Sequence, residues 1–215
     1  MRAMKESGIE WIGEIPVGWD IGKTKYLFTV IGGSTPKSDE SSNWNGNIVW
    51  ITPMDLNLDI KLIKNSKRKI TIGGLQSCGT TLVPSQSIIL STRAPIGLIC
   101  IAGVELCTNQ GCKSLVSRTN VCNEFYYYYF LIQGDPLNML GRGTTFLELS
   151  KSDLYSFSIP IPPLPEQHAI AAYLDRKCTA IDLGVAKKET LIDKLTEYKK
   201  SLIYEAVTGK TEVPA

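Results

Sequence analysis

The feature that most constrains this chain is an apolar seam near its C-terminal end. Alternating steps of four and three connect Leu174, Cys178, Ile181, Val185, Lys188, Ile192, Leu195, Lys199, Leu202 and Ala206. Eight of these ten are apolar or sulfur-bearing, and the period of about 3.5 residues is that of a helix packed along another helix. Leu191, Tyr198 and Ile203 widen the stripe beyond a two-stranded seam. Residues 166–208 contain no proline and a single glycine, Gly184, and Gly209 supplies a stop. A helix from Cys178 to Val207 is roughly 45 Å long at ~1.5 Å per residue. A domain of this size cannot cover such a stripe, so the seam calls for a partner helix.

Before the seam, Pro160, Pro162, Pro163 and Pro165 crowd into six residues. Such a run predicts a stiff strut near polyproline geometry that sets the direction in which the helix leaves the rest of the chain. Pro165 stands where a helix's first turn tolerates proline. "EQHAIAAYLD" then makes a short first helical segment, with a break or bend expected near Arg176.

Residues up to about 165 read differently. They are rich in Gly, Pro, Ser, Thr and β-branched residues. Asn47–Thr52, Gln86–Thr92 and Ile96–Ala102 have strand composition between turn residues. Glu124–Gln133, "EFYYYYFLIQ", reads as a short buried helix, although its aromatics also suit a strand. Ile31–Gly46 is expected to be a long loop, and Leu147–Pro162 a turn or short helix leading into a final strand.

Bulk properties set limits. A 43% hydrophobic content supports a packed core, and a formal charge of +2, from 23 basic and 21 acidic residues, neither demands nor forbids a nucleic-acid partner. No run approaches the ~18 apolar residues of a membrane span. The N-terminal stretch lacks a signal-peptide apolar core, so a cytoplasmic location is expected. Six cysteines occur without a C-x-x-C spacing and with one histidine, His168. That pattern favours reduced, mostly buried thiols over a zinc site.

Several pieces together resemble the specificity subunit of type I restriction-modification systems. They are "SGIEWIGEIPVGWDIGKTKYLF", "GGSTPKS" with "WNGNIVWITPMDL", "STRAPIGLICIA", "TNQGCKSL", "GRGTTFLELSKSDLYSFSIPIPPLPEQHAIAAYLD" and "LTEYKKSLIYEAVTGK". The resemblance implies an α+β fold: a mixed, β-rich target recognition domain over 1–160, followed over 161–215 by the proline strut and a long helix pairing as an antiparallel coiled coil. Family subunits usually carry two such units in one chain. This sequence has one of each, which resembles a half-length form working as a homodimer. A truncated chain stays open, because "KTEVPA" falls where a second half would begin.

By the same resemblance the partners are double-stranded DNA, modification (methyltransferase) subunits and restriction (endonuclease) subunits. No catalysis or cofactor is expected here, since S-adenosylmethionine, ATP and Mg²⁺ would serve the partner subunits. The residues agree: there is no Walker motif and no Asp/Asn-Pro-Pro-Tyr signature. A nuclease reading lacks clustered acids, offering only Asp39, Asp55 and Asp59. A coiled-coil interaction scaffold without DNA reading is the alternative.

DNA reading needs cations for phosphates and hydrogen-bonding groups for base edges. The densest cationic run holds Lys61, Lys64, Lys67, Arg68 and Lys69, and suits a phosphate-facing loop. Lys37 sits beside Ser34 and Thr35 in the long loop. Arg93 follows a predicted strand and suits a paired guanine contact, or else a structural ion pair. Asn109 and Gln110 suit adenine edges. Arg142, Thr144 and Thr145 lie in "GRGTTF", where glycine allows close approach. The dimerisation residues are Ile181, Val185, Ile192, Leu195 and Leu202.

Overall fold

The computed structural model describes residues 2–57, 60–118, 120–143 and 147–212. It divides into two compact units, Met1–Ala171 and Ala172–Ala215. The first unit begins with the hairpin β1 (Met4–Glu6) and β2 (Glu14–Pro16), then β3 (Asp20–Lys23), α1 (Thr24–Leu27) and β4 (Phe28–Gly32). There follow β5 (Trp44–Ile51), β6 (Leu62–Ile63), β7 (Lys69–Ile70), α2 (Ile72–Gln76), β8 (Ile88–Ser91), β9 (Ile99–Ala102), β10 (Cys107–Thr108) and β11 (Cys112–Ser117). The last elements are α3 (Asn123–Leu131), α4 (Gly134–Met139), α5 (Lys151–Ser156), β12 (Ser158–Ile161) and α6 (Leu164–Val207).

The central sheet has the order β4-β11-β8-β9-β6, antiparallel except for the parallel β6–β9 pair. Its middle strands are buried on both faces, which is why they read as continuous apolar runs rather than alternating ones. The pleat still sorts their side chains. Ile88, Leu90, Ile99, Ile101 and Leu115 enter one core with Phe125, Tyr126 and Phe130 of α3. Ile89, Cys100, Ala102 and Cys112 enter a second core with Val49 and Ile51 of β5. The sheet is therefore sandwiched between α3 and the smaller sheet β10-β5-β7.

The aromatic run 124–133 is helical at Asn123–Leu131, as its composition suggested. Its tyrosines bury their rings and still find acceptors: Tyr126 donates to the Pro160 carbonyl at 3.1 Å and Tyr129 to the Ser158 carbonyl at 2.9 Å. Three predicted strands appear as β5, β8 and β9, each shifted at its ends. β5 starts earlier, at Trp44, shortening the expected loop at 31–46. Trp44 is buried, and both it and Ile48 pair with Ile70 across an irregularity in which Asn45 takes φ 60°.

One expectation about the C-terminal part needs correction, and another gains detail. The proline run is tied into the fold. Pro160 lies in β12, paired with Ile21 of β3, where a residue without an N–H is tolerated at a sheet margin. Pro163 already accepts the amide hydrogens of Glu166 and Gln167 through its carbonyl, at 2.9 and 3.0 Å. The helix does not break near Arg176, since α6 is unbroken over its 44 residues, Leu164–Val207. No glycine or proline stands near that position, so no residue there breaks helical geometry. In the second unit Ile181, Val185, Ile192, Leu195 and Leu202 are 62, 49, 61, 56 and 47% exposed. No helix among the described residues is long and apolar enough to cross a membrane.

Candidate nucleic-acid interface

β4 ends at Gly32 and the chain then runs close beside β10. A Cβ on Gly33 would sit 2.1 Å from the Thr108 carbonyl oxygen, so only glycine fits there. Ser34 donates its backbone N–H to Thr108 at 3.0 Å. The next residue, Thr35, donates its hydroxyl to Oε1 of Gln110 at 2.5 Å. Asn109 is held from both sides: its N–H reaches the Ile51 carbonyl at 2.9 Å, and its Oδ1 accepts from Gly111 at 2.9 Å. Ser34, Thr35, Asn109 and Gln110 thus form one assembly.

Two tryptophans bolt the rest of this loop down. Trp50 donates its indole N–H to the Ser34 carbonyl at 3.0 Å, and Trp44 donates to the Lys37 carbonyl at 3.1 Å. The rings meet edge to face with centroids 5.2 Å apart. Lys37 is exposed, with its backbone tied to Trp44 and Asn43.

The chain of contacts continues to a second cluster. Thr92 donates its N–H to Gly111 at 2.8 Å and accepts from Leu149 at 2.8 Å. Next to it, Arg93 pairs with Glu148 at 2.9 Å, so of its two readings the structure shows the ion pair. Arg142 and Glu148 exchange backbone hydrogen bonds at 3.0 and 2.9 Å, and the exposed Arg142 guanidinium pairs with Asp153 at 2.9 Å. Thr144 and Thr145 lie outside the described residues.

The basic run does not act as one surface. Lys61 stands 4.7 Å from the ring centre of Tyr128 and 5.5 Å from that of Tyr127, both on α3. Lys64 is exposed, with its stem against Gly103. The Lys67 backbone donates to Asp55 at 2.8 Å. Arg68 turns the other way, its Cζ 3.5 Å from the Trp44 ring centre. These four cations lie outside β6 and β7, in connecting segments that no single strand face aligns.

Lys113 was missed from sequence because it sits in a mixed run, "CKSLVS". It lies on the central strand β11 and is 7% exposed. Its ammonium donates to the Leu149 carbonyl at 2.7 Å and to Thr92 Oγ1 at 3.1 Å, with Glu148 at 3.7 Å. Burial pulls its pKa below the usual lysine value, and Glu148 opposes the shift. Lys113 therefore ties the Arg93–Glu148 pair to the sheet. Asp55 has a similar anchoring task, accepting from the Thr52 N–H and hydroxyl as well as from Lys67. No group of three or more potential metal ligands occurs among the described residues.

These linked polar and cationic loops stand on a sheet covered on both faces. Residues 16–192 match the type I restriction modification DNA specificity domain, and the chain belongs to that family. It is 39% identical over 166 residues to the type I restriction enzyme MjaIX specificity subunit of Methanocaldococcus jannaschii, covering 76% of this chain and 38% of that protein. It is 28% identical to the Escherichia coli EcoR124I/EcoR124II specificity subunit, over 95% of this chain and 50% of that one. The chain thus spans half or less of the length of these curated relatives. Among solved structures, a chain of a type I R-M system superposes with TM-score 0.76 at 22% identity, covering 94% of this chain and 48% of that one. The HsdS subunit from Thermoanaerobacter tengcongensis gives 0.64 at 22% identity, covering 84% and 41%. These two likenesses carry the α+β fold.

Proposed function

We propose that this chain reads DNA as one half of a symmetric specificity module. Two copies pair through α6, along Ile181, Val185, Ile192, Leu195 and Leu202. Each copy reads one half of a split, inverted DNA site with an unread spacer. Base and phosphate contacts come from the rim of Ser34, Thr35, Lys37, Arg68, Asn109 and Gln110, extended towards Arg93 and Arg142. Lys64 and Lys67 add phosphate contacts. The module acts in the cytoplasm with modification subunits that methylate adenine and restriction subunits that cleave. S-adenosylmethionine, ATP and Mg²⁺ belong to those subunits.

The single observation that carries this reading is the apolar stripe left uncovered on a 44-residue helix. A second helix related by two-fold symmetry would cover it with an identical stripe, so one surface serves both partners. The test has two arms. Light scattering of the purified chain is expected to report a dimer, and Leu195→Lys to convert it to a monomer without loss of helical signal. Mapping methylated adenines in the host genome, with and without this gene, is expected to reveal an inverted, split motif that depends on it. A persistent monomer, both alone and with its methylating partner, or an asymmetric motif, refutes the symmetric reading.

A further inference from the structure

Among the cations of the rim, Arg68 is placed unlike the others. Arg93 and Arg142 each spend their guanidinium on a carboxylate. Arg68 has no ion pair among the described residues and is exposed. Its Cζ lies 3.5 Å from the Trp44 ring centre and 5.9 Å from that of Trp50. That is direct contact between a cation and an indole face.

The platform beneath it is rigid. Trp44 and Trp50 are 8 and 3% exposed, and both indole N–H groups are bonded into the 34–37 loop. The turn that carries Arg68 is fixed as well: Ser66 donates its hydroxyl to the Arg68 carbonyl at 2.6 Å and accepts the Trp50 N–H at 3.1 Å. The guanidinium is therefore held in place by stacking, and among the described residues none of its donors is taken up by a carboxylate or carbonyl.

A phosphate contact needs no such arrangement. It asks for charge, which exposed lysines such as Lys64 and Lys67 offer without a fixed orientation. An oriented fork of N–H donors instead matches two acceptors side by side in a plane. On the major-groove edge of a base pair, guanine O6 and N7 present that pattern. We propose that Arg68 is a specificity-determining residue that reads a guanine through O6 and N7, with the Trp44–Trp50 pair as its positioning platform. The proposal rests on the DNA-reading function above and assigns the guanine contact, first expected at Arg93, to Arg68.

The experiment uses the full chain with its methylating partner subunits and a duplex of the motif recovered by methylation mapping. Each guanine is replaced in turn by 7-deazaguanine, which keeps base pairing and removes N7. For the wild type, one guanine per half-site is expected to weaken binding by about fivefold or more when replaced. Arg68→Lys is expected to lose about tenfold on the intact duplex and to be indifferent to that same replacement. Because the charge is kept, the slope of affinity against salt concentration should not change.

Arg68→Lys that still responds to every replacement as the wild type does overturns the proposal and leaves Arg68 on phosphate. So does a recognised motif without guanine, or a loss that is equal on all sequences. Failure of the wild type to select any duplex defeats the DNA-reading function itself. Selective binding with no coupling between Arg68 and a guanine defeats this inference alone. Thermal unfolding of Arg68→Lys, expected to match the wild type, separates loss of reading from loss of fold.

Discussion

Replacing Gln167 by leucine should destabilise the first unit by about 2–4 kcal/mol. Gln167 is in the first turn of α6 and only 3% exposed. Its Nε2 donates to the Pro162 carbonyl at 2.8 Å, and its Oε1 accepts the Cys122 N–H at 3.0 Å. One side chain thus joins the end of the proline run to the start of α3. Leucine has similar bulk, so little cavity forms, but both backbone groups lose their partner away from water. Leaving a buried donor or acceptor unsatisfied costs about 2 kcal/mol each at mid-range, about 4 kcal/mol for the two. The gain from burying more hydrocarbon, about 1 kcal/mol, offsets part of that sum.

Urea unfolding measures the difference, with the slope expected to stay constant so that the midpoint shift reports stability. The melting temperature should fall by roughly 4–16 °C, at about 2–4 °C per kcal/mol for a chain of this size. Gln167→Glu keeps the acceptor for Cys122 and removes the donor to Pro162. It should also be destabilising, and less so at acid pH, where the carboxyl is neutral and can donate. A Gln167→Leu variant within about 0.5 kcal/mol of the wild type would refute the reasoning, because it would mean that neither hydrogen bond matters.

Three further outcomes are expected. Gln133 is 4% exposed and its Oε1 has no hydrogen-bond partner among the described residues, so Gln133→Met should raise stability by about 1 kcal/mol; a loss in thermal unfolding contradicts this. Cys100, Cys107, Cys112 and Cys122 are buried, and desolvation pushes their thiols up, Cys100 to about 12 and Cys107 to about 11. Alkylation of the folded protein near neutral pH, read by mass spectrometry, should therefore modify Cys78 and Cys178 well before these four. Finally, Arg2 forms a two-pronged ion pair with Glu166, which also accepts the Trp19 indole N–H at 2.9 Å. The Arg2 hydrogen bond, assisted by Trp19, lowers the Glu166 pKa below its ordinary 4.5. A depressed carboxylate stabilises fully above that ordinary value and loses its contribution as pH falls through the folded one. The stability difference between wild type and Arg2→Met should accordingly shrink below about pH 4.5; a difference independent of pH refutes the pairing.

Much of the fold was legible because local pattern and tertiary placement agree. The heptad spacing after Cys178 specifies a helix whatever surrounds it, and α6 follows it through Val207. β5, β8 and β9 were legible from β-branched runs between turn residues. β11 was not, because Lys113 and Ser114 look like surface residues. Lys113 is buried against Thr92, Glu148 and Leu149, and Ser114 pairs with Ile31 and Ile89, all from distant segments of the chain. The break expected at Arg176 was wrong, because α6 runs through that position. The proline run was legible from composition, whereas the Pro160–Ile21 pairing and the bond from Gln167 to Cys122 that anchor it come from remote segments.

The same division holds for the candidate site. Residue types marked the polar loops at 34–37 and 109–110, and also the basic run at 61–69. Chemistry alone could not say which cations are available, since that depends on what lies opposite each one in space. Folding sets Glu148 against Arg93, Asp153 against Arg142, and tyrosine rings against Lys61. It places Arg68 on an indole and gives it no carboxylate among the described residues. Periodicity and composition, which act over neighbouring residues, determined the elements and the uncovered stripe. Pairing between segments far apart in sequence decided which charges are neutralised within the fold and which face outward.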